Sequence, residues 1–456
     1  MKKYALLFIK MLFYPVLISV VSALLSFQRQ AEPAPLFDQG PLASSYTSQV
    51  LDKWMSIQIR LMSSTPAVFN GPFVRVFSYT AVAAYEAIYP GISKKSEYRF
   101  STEALNRIPS MPQVEDGKKY YWPCCLNAAM AFMNRSMFSS NSTANRSAID
   151  SLENATQMAF ANDADEATLR RSALFGSQVA QRIFSWAETD GYLHASDPYA
   201  PPTGPGKWKP TPPNFAKPVT PYWGNLRTIV TGSIENAQPP APIPYSEDTS
   251  SAFYKEVKSV YEISQHLSEE QKDIALFWKE INPGVTAPGH WLNILRQVIQ
   301  QDKASLERGA FAYALTGMAL NDAWICCWKT RYVYNLLRPV TYVREVMKHT
   351  EWLSFVPTPP HPEYTSGFAA MAGAVCGVLG TIFGNEYQFT DHTYDYAGMK
   401  PRKYYSFEAL AKEAGESKWL GGIHYRFSVE AGLQEGKAVA TNVVKLVYEK
   451  SPASKD

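Results

Sequence analysis

The stretch SLERGAFAYALTGMALNDAWICCWKTRYVYNLLRP, Ser305 to Pro339, decides the fold. Its apolar residues recur at helical rather than alternating spacing, and it is rich in Ala and Leu, so it reads as one long helix. Pro339 is its expected end, because proline cannot donate into the preceding turn. The same periodicity runs outward in both directions. FVRVFSYTAVAAYEAIYPG (Phe73 to Gly91), Glu166 to Gly191, SAFYKEVKSVYEISQ, SEEQKDIALFWKEI and HWLNILRQVIQQ precede it, and FEALAKEAGE and FSVEAGLQEGKAVATNVVKLVYEK follow. Ser268, three residues before Gln271, gives one of these a capping-box start. With no run of alternating strands and no repeat period, the expected fold class is all-α, built of packed helical bundles.

The chain has 456 residues, 46% hydrophobic and 19% charged, which describes a globular protein with ample core. Lys and Arg number 44 against 41 Asp and Glu, so nothing marks a nucleic-acid partner, and any bound anion must be held by a local charge cluster. Lys2, Lys3 and Lys10 flank the start of an uncharged apolar run, Met11 to Phe27. That order predicts export, to a periplasmic or extracellular location, with residues 1–30 a signal peptide or an uncleaved anchor. No membrane contact is expected beyond that anchor. The uncharged segment Gly367 to Gly384 is made of Gly, Ala and Cys more than Leu and Ile, and is better placed as a buried central helix than as a span.

Residues 40–450 are expected to form one all-α domain: a helical half at about 40–189, a crossover at 190–245 and a C-terminal bundle at 246–450. The crossover is rich in Pro and Gly yet carries Trp208 and Trp223, which a flexible linker would lack, so it should be ordered and packed. The adjacent pairs Cys124-Cys125 and Cys326-Cys327 are expected to be buried small apolar residues, with a bridge between the two pairs as the alternative. The Asn-x-Ser/Thr matches at Asn134, Asn141, Asn145 and Asn154 are expected to be chance.

Three short pieces of the last third point to an oxyanion. Arg331 and Arg338 lie seven residues apart, which on one helix would put both guanidinium forks on one face, although an ordinary solvated face has the same spacing. In EYTSGF, Thr365 or Ser366 can cap a helix starting at Gly367, whose first-turn N–H groups form an anion pocket; a plain N-cap looks the same. In ESKWLGGIHYRF, Lys418 and His424 flank a Gly421-Gly422 turn.

Taken together, in this order and at spacings of 28 and 52 residues, the pieces resemble the signature of the vanadium-dependent haloperoxidase and type 2 phosphatidic acid phosphatase superfamily. ALFWKEINPG, APGHWLNI, TPPHPEY and the GKWKPTPP…TPYWG crossover are similar to its secreted bacterial branch. The resemblance implies a vanadate, or phosphate as its isostere, bound through His424. Arg331, Arg338, Lys418, Ser366 and the Gly367 N–H would neutralise its oxygens, and Asp322 would orient one of the cations, its alternative being a surface charge. Arg331 stands where the signature has Lys, and Lys418 where it has Arg. Phe368 stands where the family has an acid/base histidine, a loss worth about 10²–10⁴-fold in rate. His361, seven residues upstream, occupies a position that is His in bromoperoxidase-like and Phe in chloroperoxidase-like members, so the two rings look exchanged. His361 would then take over part of the proton transfer. The implied activity is oxidation of halide, bromide or iodide before chloride, by hydrogen peroxide. The alternatives are a phosphoester hydrolase working through a phosphohistidine at His424, and a homologue that binds phosphate or vanadate with little turnover because of Phe368. A homodimer is the one self-association allowed for.

Overall fold

The computed structural model describes residues 40–65, 70–100, 102–138, 142–279 and 284–449. The expected leader at 1–30 and the Asn141 motif lie outside them. Among the described residues, 41–114 and 120–449 belong to one compact unit; Gly40 and Glu115–Lys119 fall outside it, and in the latter the Lys118 N–H closes a turn on the Glu115 carbonyl at 3.3 Å.

The described residues hold thirteen α-helices. The first five are α1 (Gln49–Ser64), α2 (Asn70–Ile88), α3 (Trp122–Met137), α4 (Thr143–Ala159) and α5 (Glu166–Ala187). Then come α6 (Ala252–Gln265), α7 (Glu269–Phe277), α8 (Ala287–Gln301), α9 (Leu306–Tyr334) and α10 (Pro339–Glu345). The last three are α11 (Gly367–Phe383), α12 (Phe407–Leu420) and α13 (Arg426–Glu449). One antiparallel pair, β1 (Phe389–Asp391) and β2 (Arg402–Tyr404), sets Thr390 opposite Lys403. The all-α expectation holds. The capping box at Ser268 is present, with both the Ser268 hydroxyl and the Gln271 side chain engaged.

Helix α9 is the spine. Ser305 caps it by accepting from the Arg308 N–H, and almost every residue from Leu306 to Trp328 is buried. On one side it packs against α2, which in turn lies on α3 and α5; on the other it packs against α11 and α13, with α12 behind them. Its end differs from the sequence expectation. The helix stops at Tyr334, because Asn335 takes the left-handed conformation (φ 49°, ψ 42°), where asparagine is among the tolerated residues. The Tyr199 hydroxyl, reaching in from the crossover, donates to the Asn335 side chain at 2.7 Å. Pro339 therefore opens α10 rather than closing α9, and Arg331 and Arg338 are not on one face of one helix.

The crossover is ordered as expected. Trp208 and Trp223 are buried, and the Trp208 N–H donates to the Asn335 carbonyl at 2.7 Å. Asp322 explains much of this order. It is fully buried on α9 and accepts from the backbone N–H groups of Ile229 (2.7 Å) and Val230 (3.0 Å) and from the Ser233 hydroxyl (2.7 Å). Both sequence expectations for Asp322 are thus corrected. It orients none of the site's cations and is no surface charge; it pins the crossover to the spine.

All five cysteines are free and buried, so the 124/125 to 326/327 bridge is not formed. Asn134 and Asn145 are buried. Among the described residues no helix is long and apolar enough to cross a membrane.

Helices α11 and α13 approach closely through glycines. A Cβ on Gly436 would lie 2.0 Å from the Ala370 carbonyl, one on Gly373 2.2 Å from the Leu433 carbonyl, and one on Gly432 2.5 Å from the Ser366 carbonyl. The contact fixes the α11 N-terminus, where the anion pocket was expected. Gly436→Ala must push the two helices apart, and is expected to lower the unfolding free energy by about 1–3 kcal/mol in urea titrations.

Candidate active site

One cavity of about 380 Å³ is formed by the end of α9, the loop Val356–His361, the start of α11 and the α12–α13 turn, with Asn70 and Lys279 completing its lining. Arg331, His361, Gly367, Phe368, Lys418 and His424 line it, with Trp324, Trp328 and Met371 as apolar wall. Arg338 and Ser366 stand immediately behind that wall, fully buried. Every site residue expected from the sequence is here except Asp322.

The α11 N-terminus forms as expected. Ser366 is the N-cap, accepting from the Ala369 N–H, so its hydroxyl proton stays available to an anion. Gly367 keeps the approach open. A Cβ there would stand 3.1 Å from the Trp324 ring and 3.3 Å from Arg331 Nη2. The two arginines meet because the chain reverses at Asn335. Arg338 is the N-cap residue of α10 and returns toward Arg331 across His361.

His361 sits between them. Its Nδ1 accepts from Arg338 Nη2 at 2.8 Å and from Arg331 Nη1, which also donates to the Pro362 carbonyl at 3.0 Å. Arg338 spends its other donors on the His361 carbonyl (2.9 Å) and the Ile423 carbonyl (2.8 Å), and Nη1 lies 3.2 Å from His424 Nε2. Burial, then the charges of Arg331 and Arg338, hold His361 well below the usual imidazole range. Burial and then Arg331 also pull Arg338 down to about 9. With Nδ1 occupied by two donors, neutral His361 carries its proton on Nε2.

His424 is fixed by a residue that the sequence reading did not single out. Its Nδ1 lies 2.7 Å from Glu363 Oε1, which also accepts from the Tyr425 N–H at 3.0 Å. Glu363 is fully buried, and burial lifts its carboxyl to about 7 against the opposing pull of Arg338. Burial first, and then Arg338 and Arg331, keep His424 well below the usual imidazole range. A neutral His424 with its proton directed at Glu363 presents a lone pair at Nε2. The signal was present in TPPHPEY: an acidic residue inside an otherwise cationic, anion-binding motif.

Lys418 and Phe368 form a pair. The Lys418 ammonium lies 3.7 Å from the centre of the Phe368 ring and donates to the Trp278 carbonyl at 2.6 Å. A cation over an aromatic face is worth about 0.5–2 kcal/mol. This answers in part why an apolar ring sits in a cationic pocket: the ring is the resting place of one of the cations. Trp278 and Trp291 hold the other side of Phe368, with ring centres at 5.8 and 5.9 Å.

Residues 311–451 match a family model described as the second helical-bundle domain of VCPO. Over 88% of this chain and 97% of the other, the structure is similar to the first bacterial vanadium-dependent iodoperoxidase, with 29% identity and a TM-score of 0.78. This match and this likeness support the vanadium haloperoxidase and type 2 phosphatidic acid phosphatase superfamily. A holo-type bacterial vanadium-dependent chloroperoxidase shares the haloperoxidase fold at 15% identity, with a TM-score of 0.64 over 86% of this chain and 96% of that one. No curated protein matches. The structure places Lys279, Arg331 and Lys418, the imidazoles of His361 and His424 and one helix N-terminus around a single cavity, with Arg338 behind its wall. That donor set suits a tetrahedral oxyanion, and the cradle a Gly367 Cβ would narrow is where one would lie.

Proposed function

We propose that the protein is an exported vanadate-dependent peroxidase that oxidises bromide or iodide with hydrogen peroxide. The observation carrying this reading is the oriented His424 in the cavity lining, whose Nε2 lies 3.2 Å from Arg338 Nη1 while Glu363 holds Nδ1. Vanadate, when bound, would supply a Lewis-acid centre that activates peroxide toward two-electron chemistry. His424 would hold it. Arg331, Arg338, Lys418, the Ser366 hydroxyl and the Gly367 N–H would balance its oxygens.

Halide oxidation by peroxide consumes one proton, and Phe368 cannot supply it. We assign that proton to His361. An oxyanion competes for the guanidinium N–H groups that Nδ1 now accepts, so its binding draws both arginines off His361 and frees that nitrogen. The preference for bromide or iodide follows from His361 in the wall and accords with the iodoperoxidase at 29% identity. Phosphoester hydrolysis is the second reading, favoured by the Glu363–His424 pair, which would serve a phosphohistidine nucleophile equally well. It also needs a proton at the leaving oxygen, where Phe368 offers none.

The test is peroxide-dependent bromination of a dye by the purified full-length chain, with and without orthovanadate. Bromination that needs vanadate and is suppressed by phosphate is the expected result. Hydrolysis of an aryl phosphate with no bromination would overturn the reading in favour of the phosphatase. Vanadate binding without either reaction would leave a binding protein.

A further inference from the structure

We propose that Glu363 is a positioning residue for the oxyanion site: it fixes the His424 ring so that Nε2, and not Nδ1, meets the anion, and it strengthens that nitrogen as a donor. The inference rests on the reading of His424 as the oxyanion-binding residue.

Glu363 is built into the site from two sides. Its backbone N–H donates to the Leu336 carbonyl at 2.9 Å, on the strand of chain that carries Arg338, and its carboxylate reaches across to the α12–α13 turn. Both contacts of Oε1, to His424 Nδ1 and to the Tyr425 N–H, hold that turn in one orientation. Four other buried carboxylates have different partners. Asp190 holds Arg75, Asp391 holds His290, Glu435 takes the Thr330 and Thr365 hydroxyls, and Asp322 holds the crossover. Among these, Glu363 is the carboxylate bonded to His424, one of the two histidines of the cavity.

A hydrogen bond from the far ring nitrogen to an anion sets which nitrogen keeps its lone pair and raises the basicity of that nitrogen. Yet a negative charge beside an anion site opposes the anion electrostatically. These two effects have opposite signs, and the pair of anions separates them. Vanadate can take a nitrogen into its coordination shell, so it should need the stronger donor. Phosphate bound as an ion uses only charge and hydrogen bonds, and should prefer the carboxylate gone.

Calorimetric titration of the full-length chain with orthovanadate, and separately with inorganic phosphate, tests this. Glu363→Gln is expected to weaken vanadate binding by about 10- to 100-fold, the usual loss for an outer partner of a ligand. The same variant is expected to bind phosphate as tightly as wild type or tighter. In a His424→Ala background, Glu363→Gln should cost vanadate nothing further. Equal shifts for both anions, or an undiminished loss in the His424→Ala background, would overturn the proposal by showing that Glu363 acts only on fold or field. Nitrogen-15 NMR of histidine-labelled chain, with His424→Ala for assignment, reads the tautomer without any ligand. A proton on His424 Nδ1 is expected, and a proton on Nε2 instead would overturn the proposal. A wild-type chain that binds no vanadate would overturn the functional reading itself, and the NMR signature would then decide the Glu363–His424 contact alone.

Discussion

Phe368→His is expected to raise the rate of bromide oxidation by about 10²- to 10⁴-fold at saturating vanadate, the usual worth of a placed general acid/base. The substitution needs little room, because an imidazole is smaller than the phenyl ring it replaces between Trp278, Trp291 and Lys418. It does lose the cation–π contact, about 0.5–2 kcal/mol, while Lys418 keeps its bond to the Trp278 carbonyl. A small drop in melting temperature should therefore accompany the gain. Lys418 beside the new ring opposes its protonation, so the imidazole would be neutral near pH 7 and able to exchange a proton with a bound oxygen. Phe368→Gln separates proton transfer from mere polarity, since an amide hydrogen-bonds but does not titrate. Turnover rising in Phe368→His alone is the expected pattern. Equal gains in both variants, or none in either, would mean that Phe368 is not what limits the chemistry.

The same site shows where a sequence can be read and where it cannot. The three signature pieces were legible because each is a local device: a capped helix start at Ser366, a glycine turn before His424, a pair of arginines. Their convergence was legible only through resemblance, since nothing local says that residues 331, 366 and 424 meet. Two errors came from treating a helix as continuous. The helical pattern runs through Asn335 without a break, and the left-handed turn that stops it is held in part by a side-chain bond from Tyr199, more than a hundred residues away. Once the helix ends there, Arg338 leaves the face of Arg331 and reaches it by a different route. Asp322 failed for a related reason. Its partners are backbone N–H groups of the crossover, and backbone donors leave no trace in a residue pattern. Glu363 was missed because its partner, His424, is 61 residues distant. Of the N-terminal helices, α3 shows no polar face because most of it is buried. The stripe of α1 at Val50, Leu51, Trp54, Met55, Leu61 and Met62 is an ordinary amphipathic signal that the reading passed over.

Arg338→Met should be the most damaging single change in the site, and its cost should depend on pH. The guanidinium is fully buried and donates to two carbonyls, His361 O and Ile423 O, while facing both imidazoles. It also lowers the Glu363 carboxyl, which burial alone would push further up than about 7. Glu363 is an acid whose folded pKa lies above its unfolded value of about 4.3. Such a group costs nothing below the unfolded value and takes stability away as pH rises through the folded one. Without Arg338 that folded value climbs further, so the variant loses more above pH 7 than wild type does. The histidines act in the same direction. Arg338 depresses both His361 and His424, and its removal lets them accept protons in acid at smaller cost. Urea unfolding at pH 8 should show a loss of about 3–5 kcal/mol, as for a buried charge left without its partner. At pH 5.5, where Glu363 is protonated, the loss should shrink to about 1–3 kcal/mol, the price of carbonyls without donors. Adding Glu363→Gln to Arg338→Met should restore much of the stability at pH 8 and little at pH 5.5. A penalty equal at both pH values, or no rescue by Glu363→Gln, would mean that the Arg338–Glu363 charge balance is not what holds this site together.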